Sequence, residues 1–430
     1  MIRILTVMAV GLTLALSGAI GVAQKTPTED RTAVRVNTTQ RPSGDIESQV
    51  AALEAQVRTQ PGDGRTWATL AHVYVERARL NGDPTNYDRA ERALRKAFAL
   101  NGPDDLALAG RAALSAAKHH FRSALHHAQE ALRVNPYQAV ALAIRVDAMT
   151  ELGRYDGQRR ALAQADRRAP GSAVLTRRSY AEELRGDLAG AGRMLRKALV
   201  LARSGTDRAY LLTQLAELDR KAGQLAAAER HLREAMTADA RYVPAWASRA
   251  RLAVARGNLA TAERWWRKVN ASSPTFDSAL ELGETYQMSD RPALADRAFD
   301  AAADIVATEA ATGVHGELEV ATLEADHGSA REALRAARVE WSRRHSVHVA
   351  DALAWALFRN DRPLEALRYS SIATRLGTPD SQFWMHRGLI EDALGRSRAA
   401  RRHLTYALHL DSGVRPVLVA AAESALRPSG

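Results

Sequence analysis

Four histidines lie within one short stretch of the sequence, KHHFRSALHH, at residues 118–127. His119 and His126 are seven residues apart, as are His120 and His127, so each pair would share one face of a helix. Imidazole nitrogens bind zinc, nickel and copper ions, and a metal-handling role for these side chains is one interpretation. The other is that they are solvent-facing residues of a helix, because no carboxylate is evidently placed to orient them. We predict no metal site here and keep metal handling as an alternative.

Motifs for other kinds of chemistry are missing from the 430-residue sequence. It contains no GxxxxGK[ST] phosphate loop, no GxGxxG after a strand, no HExxH and no GxSxG. It also contains no cysteine, which excludes disulfides, thiolate metal sites and cysteine nucleophiles. Carboxylates are plentiful but scattered over positions typical of helix surfaces. The sequence therefore predicts no catalytic residue and no cofactor, and a protein that is not an enzyme.

Helices that start and stop at regular intervals would have to position any functional side chain. Glycine or aspartate follows one helical run and precedes the next at eight places. These breaks are Gly153, Gly186, Gly223, Gly257, Asp290, Gly328, Asp361 and Gly395. Their separations cluster near about 34 residues, and a repeat of that length predicts stacked pairs of helices.

Two columns of small residues recur in one register through ten such units. The first column reads Ala90, Ala124, Gln158, Ala191, Ala228, Ala262, Ala295, Ala333, Ala366 and Ala400. The second, seven residues later, reads Ala97, Ala131, Ala165, Ala198, Ala235, Val269, Ala302, Glu340, Ala373 and Ala407. Two antiparallel helices can approach closely only where their side chains are small. Gln158 and Glu340 depart from the pattern, so the third and eighth units fit it worst.

This pattern resembles the tetratricopeptide repeat, whose consensus is W-x2-L-G-x2-Y, then A-x3-F, A and P. In the copy ALELGETYQMSDRPALADRAFDAA, the matching residues are Leu282, Gly283, Tyr286, Ala295 and Phe299. The resemblance covers residues 46–427 and is to exported bacterial members of the family, of actinobacterial type. It implies an all-α, right-handed superhelical solenoid of about ten helix–turn–helix units, with capping helices at both ends. The units start near residues 64, 105, 139, 172, 209, 243, 276, 314, 347 and 381.

The first residues, MIRILTVMAVGLTLALSGAIGVAQ, have the pattern of a secretory signal. Arg3 precedes an apolar run over residues 4–22, and small residues at Gly21 and Ala23 suit cleavage. We predict a signal peptide over residues 1–23, a flexible linker over residues 24–45, and an exported protein, secreted or in the cell envelope. The apolar run is also long enough to be retained as an N-terminal membrane anchor, and this alternative stays open.

The resemblance also implies a function, because this family holds extended peptides or partner helices in a concave groove lined by the first helix of each unit. It implies a non-catalytic scaffold that binds a protein or peptide outside the cytoplasm. We predict the partner-binding residues from their groove-facing positions in units four to six: Arg177, Tyr180, Tyr210, Gln214, Glu217 and Arg251. Forked arginine donors there would suit carboxylates and backbone carbonyls.

Other functions are weighed against this one. A metal-handling envelope factor would use His119, His120, His126 and His127. A helical toroid that cleaves glycans would need paired carboxylates converging in a pocket, and the regular repeat spacing argues against it. The formal charge of +11 would suit nucleic acid, but predicted export argues against that partner.

Overall fold

The computed structural model describes residues 46–410 and 416–427, and within these ranges it contains 22 helices and no strands. This confirms the prediction of an all-α repeat fold. The predicted signal peptide over residues 1–23, its alternative as an anchor over residues 4–22, and the linker over residues 24–45 lie outside the described residues. No helix in the described ranges combines the length and apolar character needed to cross a bilayer.

Ten helical hairpins follow one another along the chain between two single helices. The first single helix is α1 (Ile46–Thr59), and the last is α22 (Pro416–Leu426). The hairpins are α2 (Gly64–Asn81) with α3 (Thr85–Asn101), α4 (Asp105–Ala117) with α5 (Phe121–Val134), α6 (Ala139–Glu151) with α7 (Tyr155–Arg168), α8 (Ser172–Glu183) with α9 (Leu188–Val200), α10 (Gly205–Lys221) with α11 (Leu225–Ala238), α12 (Val243–Ala255) with α13 (Leu259–Ser272), α14 (Phe276–Met288) with α15 (Pro292–Ala311), α16 (Glu317–His327) with α17 (Ala330–Arg343), α18 (Val347–Phe358) with α19 (Pro363–Ala373), and α20 (Ser381–Ala393) with α21 (Ser397–Leu410).

The two helices of each hairpin pack on one another, and the second helix packs against the first helix of the next unit. Helix α1 packs on α2, and α22 packs on α20 and α21, so a single helix covers each end of the array. The fifth unit begins at Gly205 rather than near 209, and the eighth at Glu317 rather than near 314. The delay in the eighth unit follows from α15, which runs for 20 residues because no proline ends it.

The turn inside nine of the ten hairpins has one residue in the left-handed conformation. Gly153 has φ +68° there, as suits a residue without a Cβ. Asp290 (φ +54°), Asp361 (φ +56°) and His119 (φ +61°) occupy the same place in three other units. Aspartate tolerates this conformation because its short polar side chain can hydrogen-bond locally. Seven of the eight breaks identified in the sequence are therefore left-handed turns, and Gly328, with φ −148°, is the exception.

The two small-residue columns are the points at which the helices cross. No residue of either column has more than 3% of its surface exposed. Gly283 shows how tight such a crossing is, since a Cβ added there would lie 2.4 Å from the ring of Phe299. Close approach of this kind leaves no room for a larger side chain.

Ala228 tests this packing, because it is 1% exposed and packs with Ala216, Leu232 and Leu252. We expect Ala228→Leu to lower the free energy of unfolding by about 1–3 kcal/mol, since the added atoms have no space. Urea denaturation of both proteins measures the change. Ala226→Leu, at an exposed position of the same helix, is the matched control and should leave the midpoint unchanged. Equal midpoints for Ala228→Leu and the unmodified chain would contradict the packing described.

The array coils so tightly that units six apart along the chain touch. Each contact joins the turn inside one hairpin to the segment where the hairpin six units later begins. The hydrogen-bonded pairs are Ser273 Oγ to the Leu80 carbonyl (3.5 Å), His119 Nδ1 to the His315 carbonyl (2.6 Å), the Val347 amide to the Tyr155 hydroxyl (2.9 Å), and Thr378 Oγ1 to the Leu184 carbonyl (2.7 Å). Six units therefore complete one turn of the coil, and successive turns lie against each other.

Of the two departures from the repeat pattern, Glu340 belongs to this contact between turns, whereas Gln158 bonds within its own hairpin. Glu340 binds the Nε of Arg344, whose Nη1 binds Glu151 in the third unit. Gln158, also in the third unit, donates from Nε2 to Thr150 Oγ1 at 2.7 Å. Polar side chains replace alanine at these crossings, and each finds a hydrogen-bond partner there.

Candidate binding cavity

A cavity of about 640 Å³ lies inside the coil. The first helices of units four to seven, α8, α10, α12 and α14, form a large part of its wall. The rest comes from the end of α2, the beginnings of α3, α18 and α20, and parts of α13, α15 and α16, together with the segments that precede α14 and α20. The volume falls within the range of about 300–1,000 Å³ that is usual for ligand pockets.

Four of the six predicted partner-binding residues lie on this wall: Tyr180, Gln214, Glu217 and Arg251. They come from three consecutive first helices, which the repeat places side by side. The structure therefore brings these four side chains together around one space, and their role in binding a partner stays a prediction.

Arg177 and Tyr210 are not part of the wall. Arg177 is 2% exposed and binds Asp147 of the preceding unit through two bonds, Nε to Oδ1 at 2.8 Å and Nη2 to Oδ2 at 2.6 Å. Tyr210 is 1% exposed and packs in an apolar cluster. Removing Arg177 would leave the buried Asp147 without its cation, so an Arg177 variant would report on stability as well as on binding.

A network of ion pairs crosses the wall from α10 to α14. Arg220 Nε lies 3.2 Å from Glu217 Oε2, and Arg251 Nη2 lies 2.6 Å from Glu281 Oε1. Arg251 Nη1 is also 3.9 Å from Glu217 Oε1, which joins the two pairs. Burial alone would lower the pKa of Arg251, but Glu281 and Glu217 raise it. The donors of Arg251, which we predicted to face a partner's carboxylate, are therefore engaged by carboxylates of the chain itself.

The opposite side of the wall links two turns of the coil. The Tyr180 hydroxyl lies 3.3 Å from His348 Nε2, and Lys221 Nζ lies 2.9 Å from Glu183 Oε1. Burial lowers the pKa of His348 to about 3, so its ring is neutral at physiological pH. These contacts hold the fourth, fifth and ninth units around the cavity.

Three carboxylates of the wall have raised pKa values. Burial and the neighbouring Glu281 raise the pKa of Asp277. Burial raises the pKa of Glu309 to about 7, with a contribution from Glu319. Burial also raises the pKa of Glu319 to about 7, although Arg344 acts in the opposite direction. Sequence reasoning missed Glu309 and Glu319, because the repeat pattern is weakest around residues 303–345.

The four histidines of residues 118–127 lie in two separate groups in the structure. His126 Nε2 and His127 Nδ1 each lie 3.4 Å from Glu130 Oε2, and the possible ligand atoms of these three residues are within 4.8 Å of one another. Burial lowers the pKa of His127, which favours the neutral ring that a metal ion requires. Glu130 was not expected from the sequence, although it is three and four residues after the two histidines on the same helix.

His119 and His120 do not join that group. His119 is buried, its Nδ1 is bonded to the His315 carbonyl, and burial lowers its pKa to about 4. The ring of His120 lies 4.2 Å from the ring of His315. These two side chains instead connect the second and eighth units.

No protein-family model matches the chain, and no curated protein matches it. Among solved structures, it is similar to a tetratricopeptide repeat protein from Parabacteroides merdae, with 19% identity over 60% of this chain and 99% of that one (TM-score 0.35). It is also similar to human IFIT1, solved as a dimer with PPP-AAAA, with 15% identity over 77% of this chain and 78% of that one (TM-score 0.46). Yeast Tom70 shares 13% identity over 89% of this chain and 96% of that one (TM-score 0.37).

The described helices form ten consecutive hairpins with buried small residues at their crossings, in the register that the sequence pattern requires. The chain is therefore an all-α helical-repeat protein whose repeat resembles the tetratricopeptide repeat.

Proposed function

We propose that the protein is a non-catalytic scaffold that holds a segment of a partner protein or peptide in its central cavity, outside the cytoplasm. The observation that carries this proposal is the cavity of about 640 Å³ whose wall includes side chains from four consecutive first helices. Polar groups fixed by ion pairs alternate there with aromatic rings, which gives orientation as well as contact area.

Site-specific photo-cross-linking tests the proposal. A photoreactive amino acid at Ala247 or Thr308, two positions on the cavity wall, should form a covalent adduct with one defined partner in the cells that make the protein. The same group at Ala226, an exposed position of α11 that is not part of the wall, is the matched control and should give no such adduct. Adducts of equal yield from both kinds of position, or none from the wall, would refute binding in the cavity.

Export is a separate part of the proposal and rests on the pattern of the first 23 residues. Mass analysis of the protein from fractionated cells tests it. A mature chain that starts at Gln24 in an extracytoplasmic fraction supports cleavage and export. A full-length chain in the membrane fraction supports the anchor alternative, and a full-length chain in the cytoplasm refutes both.

The charge of the cavity bears on the class of partner. Nine carboxylates line the wall, and such a surface is unsuited to the phosphate backbone of a nucleic acid.

A further inference from the structure

The cavity wall carries a negative charge inside a positively charged protein. The chain has a formal charge of +11, yet nine carboxylates and four lysine or arginine side chains line the cavity. The two histidines of the wall, His119 and His348, have pKa values lowered by burial and add no positive charge at neutral pH. A recess of one charge sign concentrates ligands of the other.

Each cationic side chain of the wall is paired with a carboxylate of the chain. The pairs are Arg79 with Glu76, Arg220 with Glu217, Lys221 with Glu183, and Arg251 with Glu281. These carboxylates neutralise the positive charge of the wall. The other carboxylates therefore make the electrostatic potential inside the cavity negative.

Glu319 is a buried carboxylate of the wall, and one of its two oxygens has no hydrogen-bond partner in the described residues. It is 4% exposed, it lines the cavity, and its Oε2 has no hydrogen-bond partner in the described part of the chain. A buried carboxylate oxygen without a partner is unfavourable and is rare in folded proteins. Arg344, the cation that acts on it, is already bound to Glu340 and Glu151. Glu309 stands near Glu319 on the same wall, and neither carboxylate has an ion pair with a cation within the described ranges.

We infer that Glu309 and Glu319 bind a cationic group of the partner, namely the guanidinium of an arginine or the ammonium of a lysine in a peptide segment. This inference rests on the proposed function and specifies the chemistry of its ligand. The cation would donate hydrogen bonds to the carboxylate groups of Glu309 and Glu319 and would offset the charge of both. Charge-assisted bonds of this kind are among the stronger ones in proteins.

The geometry favours an organic cation over a metal ion. A divalent ion gathers several oxygen or nitrogen ligands closely around itself. Within residues 46–410 and 416–427, one group of three possible metal ligands comes within 4.8 Å of one another. It consists of His126, His127 and Glu130, which are not on the cavity wall. No three donor groups of the wall within the described ranges come that close together, whereas a guanidinium, with five N–H donors, can be bound by two carboxylates.

Short fluorescein-labelled peptides of alanine and serine test the inference. Four versions carry two arginines, two lysines, two glutamines or two glutamates, and fluorescence anisotropy with the full-length protein measures their dissociation constants. We expect the arginine and lysine peptides to bind and the glutamate peptide not to bind. Glu319→Gln should weaken binding of the arginine peptide at least about tenfold, since it removes a charged hydrogen-bond acceptor. The double variant with Glu309→Gln should abolish binding.

Glu332→Gln is the matched control, because the Glu332 side chain is 41% exposed and is not part of the cavity wall. It should bind the arginine peptide as the unmodified protein does. Circular dichroism shows whether each variant is folded. Equal affinity for the glutamine and arginine peptides, or unchanged affinity in the double variant, would overturn the inference. If cross-linking from Ala247 and Thr308 still yields a partner in that case, the proposed scaffold function stands without it; if cross-linking also fails, both are refuted.

Discussion

Replacing Arg344 with methionine should lower the free energy of unfolding by about 3–5 kcal/mol at pH 8, because it removes the cation that two buried carboxylates share and leaves Glu151 unpaired. Arg344 is 5% exposed and lies between Glu340 of the eighth unit, which is 1% exposed, and Glu151 of the third, which is 0% exposed. Methionine fills a similar volume, so lost charge rather than lost packing dominates the effect. Urea denaturation measures the change.

The pH dependence of the loss in stability and the behaviour of a triple variant identify the cause of that loss. Burial raises the pKa of Glu151 to about 7, so below that pH the carboxyl group can become neutral, and the loss should be smaller at pH 5 than at pH 8. The triple variant that adds Glu151→Gln and Glu340→Gln removes the unpaired charges and should recover most of the lost stability.

Arg335→Met provides the matched control on the same helix. Arg335 pairs with Glu332 at an exposed position, and its removal should leave the midpoint nearly unchanged. Small-angle scattering should also show a larger radius of gyration for Arg344→Met, since this ion triad joins two turns of the coil. If Arg344→Met and Arg335→Met unfold at the same urea concentration, the triad does not stabilise the contact between turns.

The repeat fold follows from local features of the sequence. The alanine columns set where two neighbouring helices cross, and residues such as Gly153 and Asp290 set where one helix stops and the next begins. Both depend on residues less than about 40 positions apart, which a repeat pattern records directly.

The contact between successive turns of the coil does not follow from that pattern. His119 and His315 are 196 residues apart, and their approach depends on the pitch of the coil, to which every unit adds a small rotation. One sign of it is present in the sequence, because Glu340 interrupts the second alanine column in the eighth unit. A carboxylate at a position that otherwise holds a small residue indicates a polar contact there, but it does not identify Arg344 and Glu151 as the partners.

The cavity was predictable in outline but not in its charges. Groove-facing positions placed Tyr180, Gln214, Glu217 and Arg251 on one wall, since these positions follow from helix geometry alone. Which charges pair depends on neighbouring first helices, as in Arg251 with Glu281, thirty residues apart. Arginine and glutamate at this spacing are visible in the sequence. They indicate that a cation on one first helix can pair with a carboxylate on the next first helix instead of with a partner.

Replacing Glu319 with glutamine should raise the free energy of unfolding at pH 8 by about 1–3 kcal/mol, because it removes a buried charge that the folded protein accommodates poorly. The pKa of Glu319 is about 7 in the folded protein and near the usual 4.5 in the unfolded chain. Between these values the folded state holds more protons than the unfolded state, so this group lowers stability as the pH rises from 4.5 to 7. Glutamine does not ionise, so the gain should be fully present above pH 7 and absent near pH 4.5.

Urea midpoints of both proteins at pH 5, 6, 7 and 8 measure this difference. The buried histidines His119 and His348 act in the opposite direction in each protein, since their pKa values are lowered, and their contribution cancels in the comparison. Glu332→Gln is the control and should show no gain that grows with pH, because Arg335 lowers rather than raises the pKa of Glu332. If Glu319→Gln is no more stable than the unmodified protein at pH 8, the charge of Glu319 does not destabilise the folded protein. A real gain would mean that the chain keeps a carboxylate at the expense of stability, which is expected where that group binds a ligand.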